Sequence, residues 1–558
     1  MRPHEPRKEG SDRLHFSSKP NQTLAVLLCL VLPALFAERA AAASHRLSQG
    51  LPFSDAGDAP KLSSDGRFLV YLHDAGVDEA RELWSVPLAG GAPVRLSGLL
   101  PSGETVRDFE ISANSQRVVY RAPQETPGEI ELYSIPIAGP EGAWIRLNGD
   151  LPTGGNVRYL RISPDSSWVV YVADQHAQGE FDVWSVPIDG GTAARLRPFI
   201  TVVGSTAEEF TTIRISPDSE WVLYRANFAD LGSWELWRAR VDGTGGVVRL
   251  NGTMVSGGDI ASAGFSHDGT RVVYVGEQEA PAVLELYSVA LAGGTPVKLN
   301  ATLPANSDVH GFSISPDDSR VTYRVGDDSY ATDELYSVPL AGGARIKLNG
   351  ALAPGGGVLD HEIGSDSTRV VYRADQQTDE VSEVYSVPLA GGAALKLNGA
   401  LPEGGEVFDF AISPDSARVV YNAEQQTEFV RELYSVPIAG GTPFRVSDDL
   451  IAGGGVSQFK ISPGSDFVFY VADMVTNNAN ELFRGDIAGG ALADVRMSGT
   501  LVPGGGVFVN STSLVLHPDG RQAIYRADQE VDNQYELYVS DPCLLCDGFE
   551  AGDSGRWD

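Results

Sequence analysis

Ile412-Ser-Pro-Asp-Ser-Ala-Arg-Val-Val-Tyr421 decides the fold, because close variants of it recur along almost the whole 558-residue chain. The closing tyrosine sets the register: Tyr71, Tyr120, Tyr171, Tyr224, Tyr274, Tyr323, Tyr372, Tyr421, Tyr470 and Tyr525, spaced by 49 to 55 residues. A second marker, acid–apolar–aromatic, follows every copy, as in Glu82-Leu83-Trp84, Asp182-Val183-Trp184, Glu334-Leu335-Tyr336 and Glu481-Leu482-Phe483. A period held through ten copies marks a repeat architecture, and the chain is too long for one ordinary compact core.

Within one copy, Val407 to Ser413 alternates at period two and is rich in strand formers. Pro414-Asp415-Ser416 reads as a tight turn, with proline fixing φ and aspartate able to bond its own backbone. Arg418 to Ala423 is a second strand, and a polar loop leads to a third, Glu432 to Ile438. Gly440-Gly441 supplies another turn before a fourth strand, Phe444 to Ser447. Pro437 removes one ladder donor where a strand end tolerates it. Four antiparallel strands per copy predict an all-β propeller of ten blades, with no helical segment after the first 43 residues. One blade cannot bury both faces, so Phe408, Phe410, Val419, Tyr421 and Tyr434 are expected to form the core between blades. The last copy ends at Glu536-Leu-Tyr-Val-Ser540 without a fourth strand, while His45 to Pro52 matches a fourth strand and its exit. The N-terminal strand is therefore expected to complete blade ten, in one ring, with two smaller rings or an open superhelix as the alternatives.

The motif Ser-Pro-Asp-[Ser/Gly]-x-x-apolar-[small or apolar]-Tyr resembles the WD40-like (PD40) repeat of TolB-like propellers. The same repeat occurs in the propeller domains of dipeptidyl peptidase-like and prolyl oligopeptidase-like enzymes. The match runs over roughly residues 46–540. The resemblance implies the propeller fold. TolB-like proteins carry a separate α/β domain before a shorter propeller, and the peptidases carry an α/β-hydrolase domain. This sequence resembles neither domain, so neither role carries over.

Arg2, Arg7, Lys8, Arg13 and Lys19, then an apolar run Leu24–Phe36, then Ala40–Ala43, read as a secretory signal peptide over residues 1–43. The apolar run is too short to span a bilayer, and Leu28 before Cys29 argues against a lipid anchor. The whole chain has 74 acidic against 42 basic residues, a net of −32. Removing residues 1–43 takes six basic and four acidic residues away, leaving 36 against 70 and a net of −34. That acidity argues against nucleic acid, and no later segment is apolar enough to cross a membrane. The expected location is the periplasm or the cell exterior.

Chemistry-bearing motifs are few. Gly552-Asp553-Ser554-Gly555 matches the tetrad around a trypsin-like nucleophile, but without the double barrel it reads as a chance match. His310 and His361 lie near the first strands of adjacent repeats, out of phase by two residues, and are read as channel or loop decoration rather than metal ligands. Cys543 and Cys546 are expected to form a short-loop disulfide in the tail, residues 542–558. The acid of each Glu-Leu-Tyr marker recurs in every copy, which speaks for structure. Arg121, Arg225, Arg324, Arg373 and Arg526 follow the tyrosine in half the copies, and an ion pair across neighbouring strands is expected of them. No cofactor is implied.

Strand order divides a propeller into a face of short uniform turns and a face of variable loops. Every second-to-third loop carries acid, including Asp327, Asp328, Asp375, Asp379, Asp528 and Asp532. Variable loops on a rigid scaffold are where binding sites concentrate. The expected function is an exported, non-catalytic scaffold whose acidic face meets a protein partner in the cell envelope or outside the cell. The runner-up is a channel-centred enzyme acting on polysaccharide, or a peptidase-type propeller without its hydrolase domain.

Overall fold

The computed structural model describes residues 44–47, 58–74, 80–196, 213–227, 233–327, 329, 331–451, 454–474, 479–489, 494–510 and 513–540. Residues 1–43, read above as a signal peptide and including Cys29, together with Asp328, Cys543, Cys546 and the tail, lie outside the described residues. The chain divides into two units, Met1–Ala41 and Ala42–Asp558, and everything below concerns the second.

The described residues form ten four-stranded antiparallel sheets, and no helix occurs among them. Blades 1 to 9 span residues 58–95, 108–146, 157–195, 214–249, 260–298, 308–347, 358–396, 407–445 and 456–496. In each, the four strands pair in chain order. Blade 8 shows why the sequence folds this way: Val407–Ile412, Arg418–Ala423, Glu432–Pro437 and Phe444–Arg445 match the four expected strands to within two residues. Blade 10 contains Leu514–Leu516, Ala523–Ala527 and Glu536–Ser540, and its outer strand is Ser44–Arg46 from the chain's beginning. His45 lies opposite Val539, and the Leu47 amide donates to the Leu537 carbonyl at 2.8 Å.

Each sheet is apolar on both faces, so each must be covered on both sides. Ten hydrophobic clusters do this, each shared by two consecutive blades. The tenth joins blade 10 to blade 1, through Leu47, Ile524, Leu537 and Val539 against Leu69, Tyr71 and Val86. The circuit of cores therefore closes as one ring. At the seam, Gly66 (φ +73°) brings its carbonyl to 3.2 Å from His517 Nε2, and a Cβ there would fall 2.3 Å from that nitrogen. Only glycine fits that approach.

The register tyrosine is at the middle of this packing. Tyr120, Tyr274, Tyr323, Tyr372, Tyr421, Tyr470 and Tyr525 each face the aromatic of the third-strand marker, with ring centroids 5.3–5.7 Å apart and planes within 17–25°. Val419, Tyr421 and Tyr434 are core as expected, with Phe410 packed at its margin. Phe408 is not. The register slips between Val407 and Asp409, which turns Phe408 out of the sheet and under the Arg431 guanidinium at 3.8 Å.

Because Leu47 is the apolar plug of the closing strand, Leu47→Ala is expected to cost about 2–5 kcal/mol by denaturant unfolding. Deleting residues 44–47 should also expose the edge of Glu536–Ser540 and give concentration-dependent aggregation by light scattering.

Candidate functional site

Hydrogen bonds stitch the turn face together across seven blade boundaries. In the first-to-second turns, Ser115, Ser166, Ser219, Ser367, Ser416 and Ser465 sit at φ of 58–64°, the left-handed region. That conformation aims each hydroxyl at the blade before it. Ser115 accepts from the Asp65 amide, Ser166 from Asn114, Ser219 from Asp165, Ser367 from Asp317, Ser416 from Asp366 and Ser465 from Asp415, at 3.0–3.2 Å. Asp318 serves blade 6 the same way, accepting from the His267 and Asp268 amides. In six of the turns a serine hydroxyl donates to the aspartate two residues on, as Ser413 does to Asp415 at 2.6 Å. Hydroxyl donation from Ser266 and Ser413 holds Asp268 and Asp415 below the ordinary carboxylate value. Polar groups on this face are thus committed to the ring itself.

The marker acids have a different partner from the one expected. In all ten blades the third-strand acid pairs with a cation of the fourth strand: Glu82 with Arg95, Glu131 with Arg146, Asp182 with Arg195, Glu235 with Arg249, Glu285 with Lys298, Glu334 with Lys347, Glu383 with Lys396, Glu432 with Arg445 and Glu481 with Arg496. In blade 10 the cation is Arg46 of the N-terminal strand, bound to Glu536. The arginine after the tyrosine cannot reach this acid, because successive strand residues point to opposite faces. It works across the blade boundary instead. Arg121 Nη1 donates to the Val157 carbonyl at 2.7 Å and Arg324 Nη1 to Leu359 at 2.7 Å, while Arg373 bonds Val407 and Phe408. Arg121 and Arg373 also pair with Asp108 and Asp360 of the neighbouring first strand, not with the marker acid. A glutamine four residues after the tyrosine does comparable work on the loop face. Gln124, Gln175, Gln278, Gln376, Gln425 and Gln529 each accept from their own tyrosine hydroxyl and from a glycine amide of the preceding blade. Its recurrence in the sequence was the available signal.

The loop-face acids divide into two kinds. Asp375 Oδ1 accepts from the Gly357 amide at 2.5 Å, and Asp528 Oδ1 from Gly506 at 2.5 Å, tying each loop to the glycine-rich connection into its blade. Asp528 is only 2% exposed. Asp327 caps its own turn by accepting from the Ser329 amide at 3.0 Å, and the Ser329 hydroxyl, the chief cause, holds its pKa low. Asp379 and Asp532 are exposed at the loop tips. They lie over Gly355 and Gly504, where an added Cβ would come within 2.9 and 3.1 Å of the carboxylates.

The channel side is built from first strands. One position per blade, directly before the strand's last residue, is held by Lys61, Glu110, Arg161, Arg214, Gly264, Ser313, Glu362, Ala411, Lys460 and Val515. Several act as sideways stitches. Lys61 Nζ donates to the Phe109 carbonyl at 2.5 Å, Glu110 accepts from the Ile162 amide at 2.9 Å, and Glu362 from Ile412 at 3.1 Å. His310 and His361 are not brought together. His310 Nδ1 lies 2.8 Å from Asp333 Oδ1, with Arg324 3.3 Å from the other oxygen. His361 Nε2 meets the Thr322 hydroxyl at 3.0 Å, and burial, with Arg324 nearby, pushes its pKa down to about 4. Among the described residues, no three His, Cys, Asp or Glu side chains are grouped to hold a metal ion.

No family model matches this sequence, and no curated protein matches it. Among solved structures, the chain is similar to dipeptidyl peptidase 4 of Porphyromonas gingivalis, at 11% identity and a TM-score of 0.46, over 76% of this chain and 66% of that one. A TolB-type protein of Agrobacterium tumefaciens matches at 23% identity and a TM-score of 0.26, over 44% and 80% of the two chains. A prolyl endopeptidase matches at 14% identity and a TM-score of 0.33, over 67% and 55%. These are the groups that the repeat resembles. The chain spans 66% and 55% of the two peptidases, and the propeller itself rests on the strand pairing above.

A carboxylate held below its ordinary pKa adds stability that is present above the unfolded-state value of about 3.9 and is lost as pH falls through the folded value. The protein is therefore expected to lose thermal stability steeply below about pH 4. Asp268→Asn with Asp415→Asn should flatten part of that drop in a scanning-fluorimetry series, while lowering stability at neutral pH.

Proposed function

We propose that this chain is a non-catalytic binding scaffold, exported from the cytoplasm, that engages a basic protein partner through its loop face. The observation that carries this reading is Phe429, at the tip of the second-to-third loop of blade 8. Its side chain is 74% exposed and its backbone sits at φ +63°. The equivalent tips of blades 2 and 3 use Gly128 and Gly179, which adopt that conformation without cost, and those of blades 5, 7 and 10 use Ala282, Glu380 and Asn533 at φ of 55–62°. A bulky residue there costs about 1–2 kcal/mol, and so exposed a ring packs little of itself on its own chain. The left-handed tip itself belongs to the repeat, and what sets blade 8 apart is the exposed aromatic ring carried on it. Glu428 beside it, and Glu380 and Asp379 on the adjoining tip of blade 7, are exposed acids. An exposed aromatic on a loop face rich in carboxylates suits an apolar socket rimmed by Lys and Arg.

The other polar positions support a scaffold over an enzyme. Turn serines, glutamines and several channel-side residues are bonded to neighbouring blades, and the marker acids to the fourth strand of their own blade. Export rests on the basic–apolar–small leader, and N-terminal sequencing of secreted protein should begin at Ser44.

Phe429→Gly is expected to raise stability by about 1 kcal/mol, by relief of the left-handed strain. A photo-crosslinker at position 429 should capture a basic protein from the envelope or secreted fraction, with yield falling as salt rises. A crosslinker at the exposed Ala417 on the turn face should not capture it. Equal capture from both positions would contradict the assignment to the loop face.

A further inference from the structure

The channel rim on the turn face holds a feature that the scaffold reading does not use. Across blades 8 to 10, Ala411, Ile412, Phe459, Ile461 and Leu516 line an open apolar pocket of about 400 Å³, with Lys460 as the charged group on its wall. Small-molecule sites fall in the range of about 300–1,000 Å³, mostly apolar, with a few polar groups that fix orientation. The pocket has a local cause. At the channel-side position, blades 2, 3 and 7 carry Glu110, Arg161 and Glu362, whereas blade 8 carries Ala411 and blade 10 carries Val515. Gly264 of blade 5 is also small, but Phe312 of the next blade closes over it. Beside Ala411 the space stays open, and the turn residues Pro414 and Pro463 extend its apolar wall.

We propose that this pocket binds an aliphatic carboxylate of medium chain length, with the alkyl chain against Phe459, Ile461 and Leu516 and the carboxylate on Lys460 Nζ. The ammonium has three donors, and the Leu514 carbonyl takes one at 2.6 Å. It is half-buried, and burial lowers its pKa. An anion seated beside it restores the charge balance that burial removes, and forms a charge-assisted hydrogen bond in an apolar setting. The chain as a whole, at net −32, repels anions, which confines their binding to a site with a cation of its own.

The test is isothermal titration calorimetry of the purified protein with decanoate, decanol and decylammonium. Decanoate is expected to bind saturably at one site, at least tenfold more tightly than decanol, with no such site for decylammonium. Lys460→Met should reduce decanoate affinity at least tenfold while leaving decanol binding in place. Ala411→Phe should weaken both ligands by filling the space, and an unchanged unfolding curve would certify that the ring is intact. No decanoate binding at millimolar concentration would overturn the proposal. So would binding that neither substitution changes, or decanol bound as tightly as decanoate, which would make this a site for uncharged apolar groups. These ligands are independent of Phe429, so failure here leaves the loop-face reading untouched.

Discussion

A sheet with two apolar faces can be covered only by another sheet on each side, and the whole molecule follows from that constraint. Each blade here supplies half of two cores, so no blade is complete until both neighbours are docked. The stacked pair of second-strand tyrosine and third-strand aromatic fixes the register within a blade. The acid two residues before that aromatic then ties the short fourth strand on through its cation. Ten such blades leave a final edge, and the chain's own beginning closes it: Arg46 meets Glu536 as every other fourth-strand cation meets its acid. Ring closure is thus encoded twice, by apolar burial at Leu47 and by charge at Arg46.

Much of this was legible in the sequence, because a repeat prints the same local instructions ten times. The tyrosine register, the four strands, the Pro-Asp-Ser turn and the unpaired last copy could all be read without coordinates. What escaped depends on a neighbour about one repeat away. Ser416 reads as a turn residue, yet its hydroxyl serves Asp366, fifty residues earlier. Gln425 reads as loop polarity, yet it holds the Gly399 amide of the blade before. The fourth-strand cation stands only 13 to 15 residues after its acid in blades 1 to 9 and could have been found. Alternation would also have excluded the arginine after the tyrosine as its partner. Phe408 was misplaced because a bulge adds a residue without a mark in the alternation.

For the candidate site, sequence reasoning reached the face but not the residue. Its acids include Asp375 and Asp528, which serve backbone amides, and Asp379 and Asp532, which stand at exposed tips. Phe429 was invisible as an anchor, because neither its exposure nor its left-handed backbone can be read from a single letter. The pocket beside Ala411 escaped for a related reason: it exists through what Ala411 lacks beside Phe459 of the next blade. Symmetry hides such sites in a repeat protein until each position is compared around the ring.

The central claim is that all ten blades form one ring, closed by the N-terminal strand. Cryo-electron microscopy of the purified protein, averaged in face-on views, tests this most directly. The account predicts a single annulus of ten radial sheets around one channel, with continuous density from Ser44–Arg46 along the outside of the last blade. Two smaller annuli, an open arc, or a gap beside Glu536–Ser540 would contradict it.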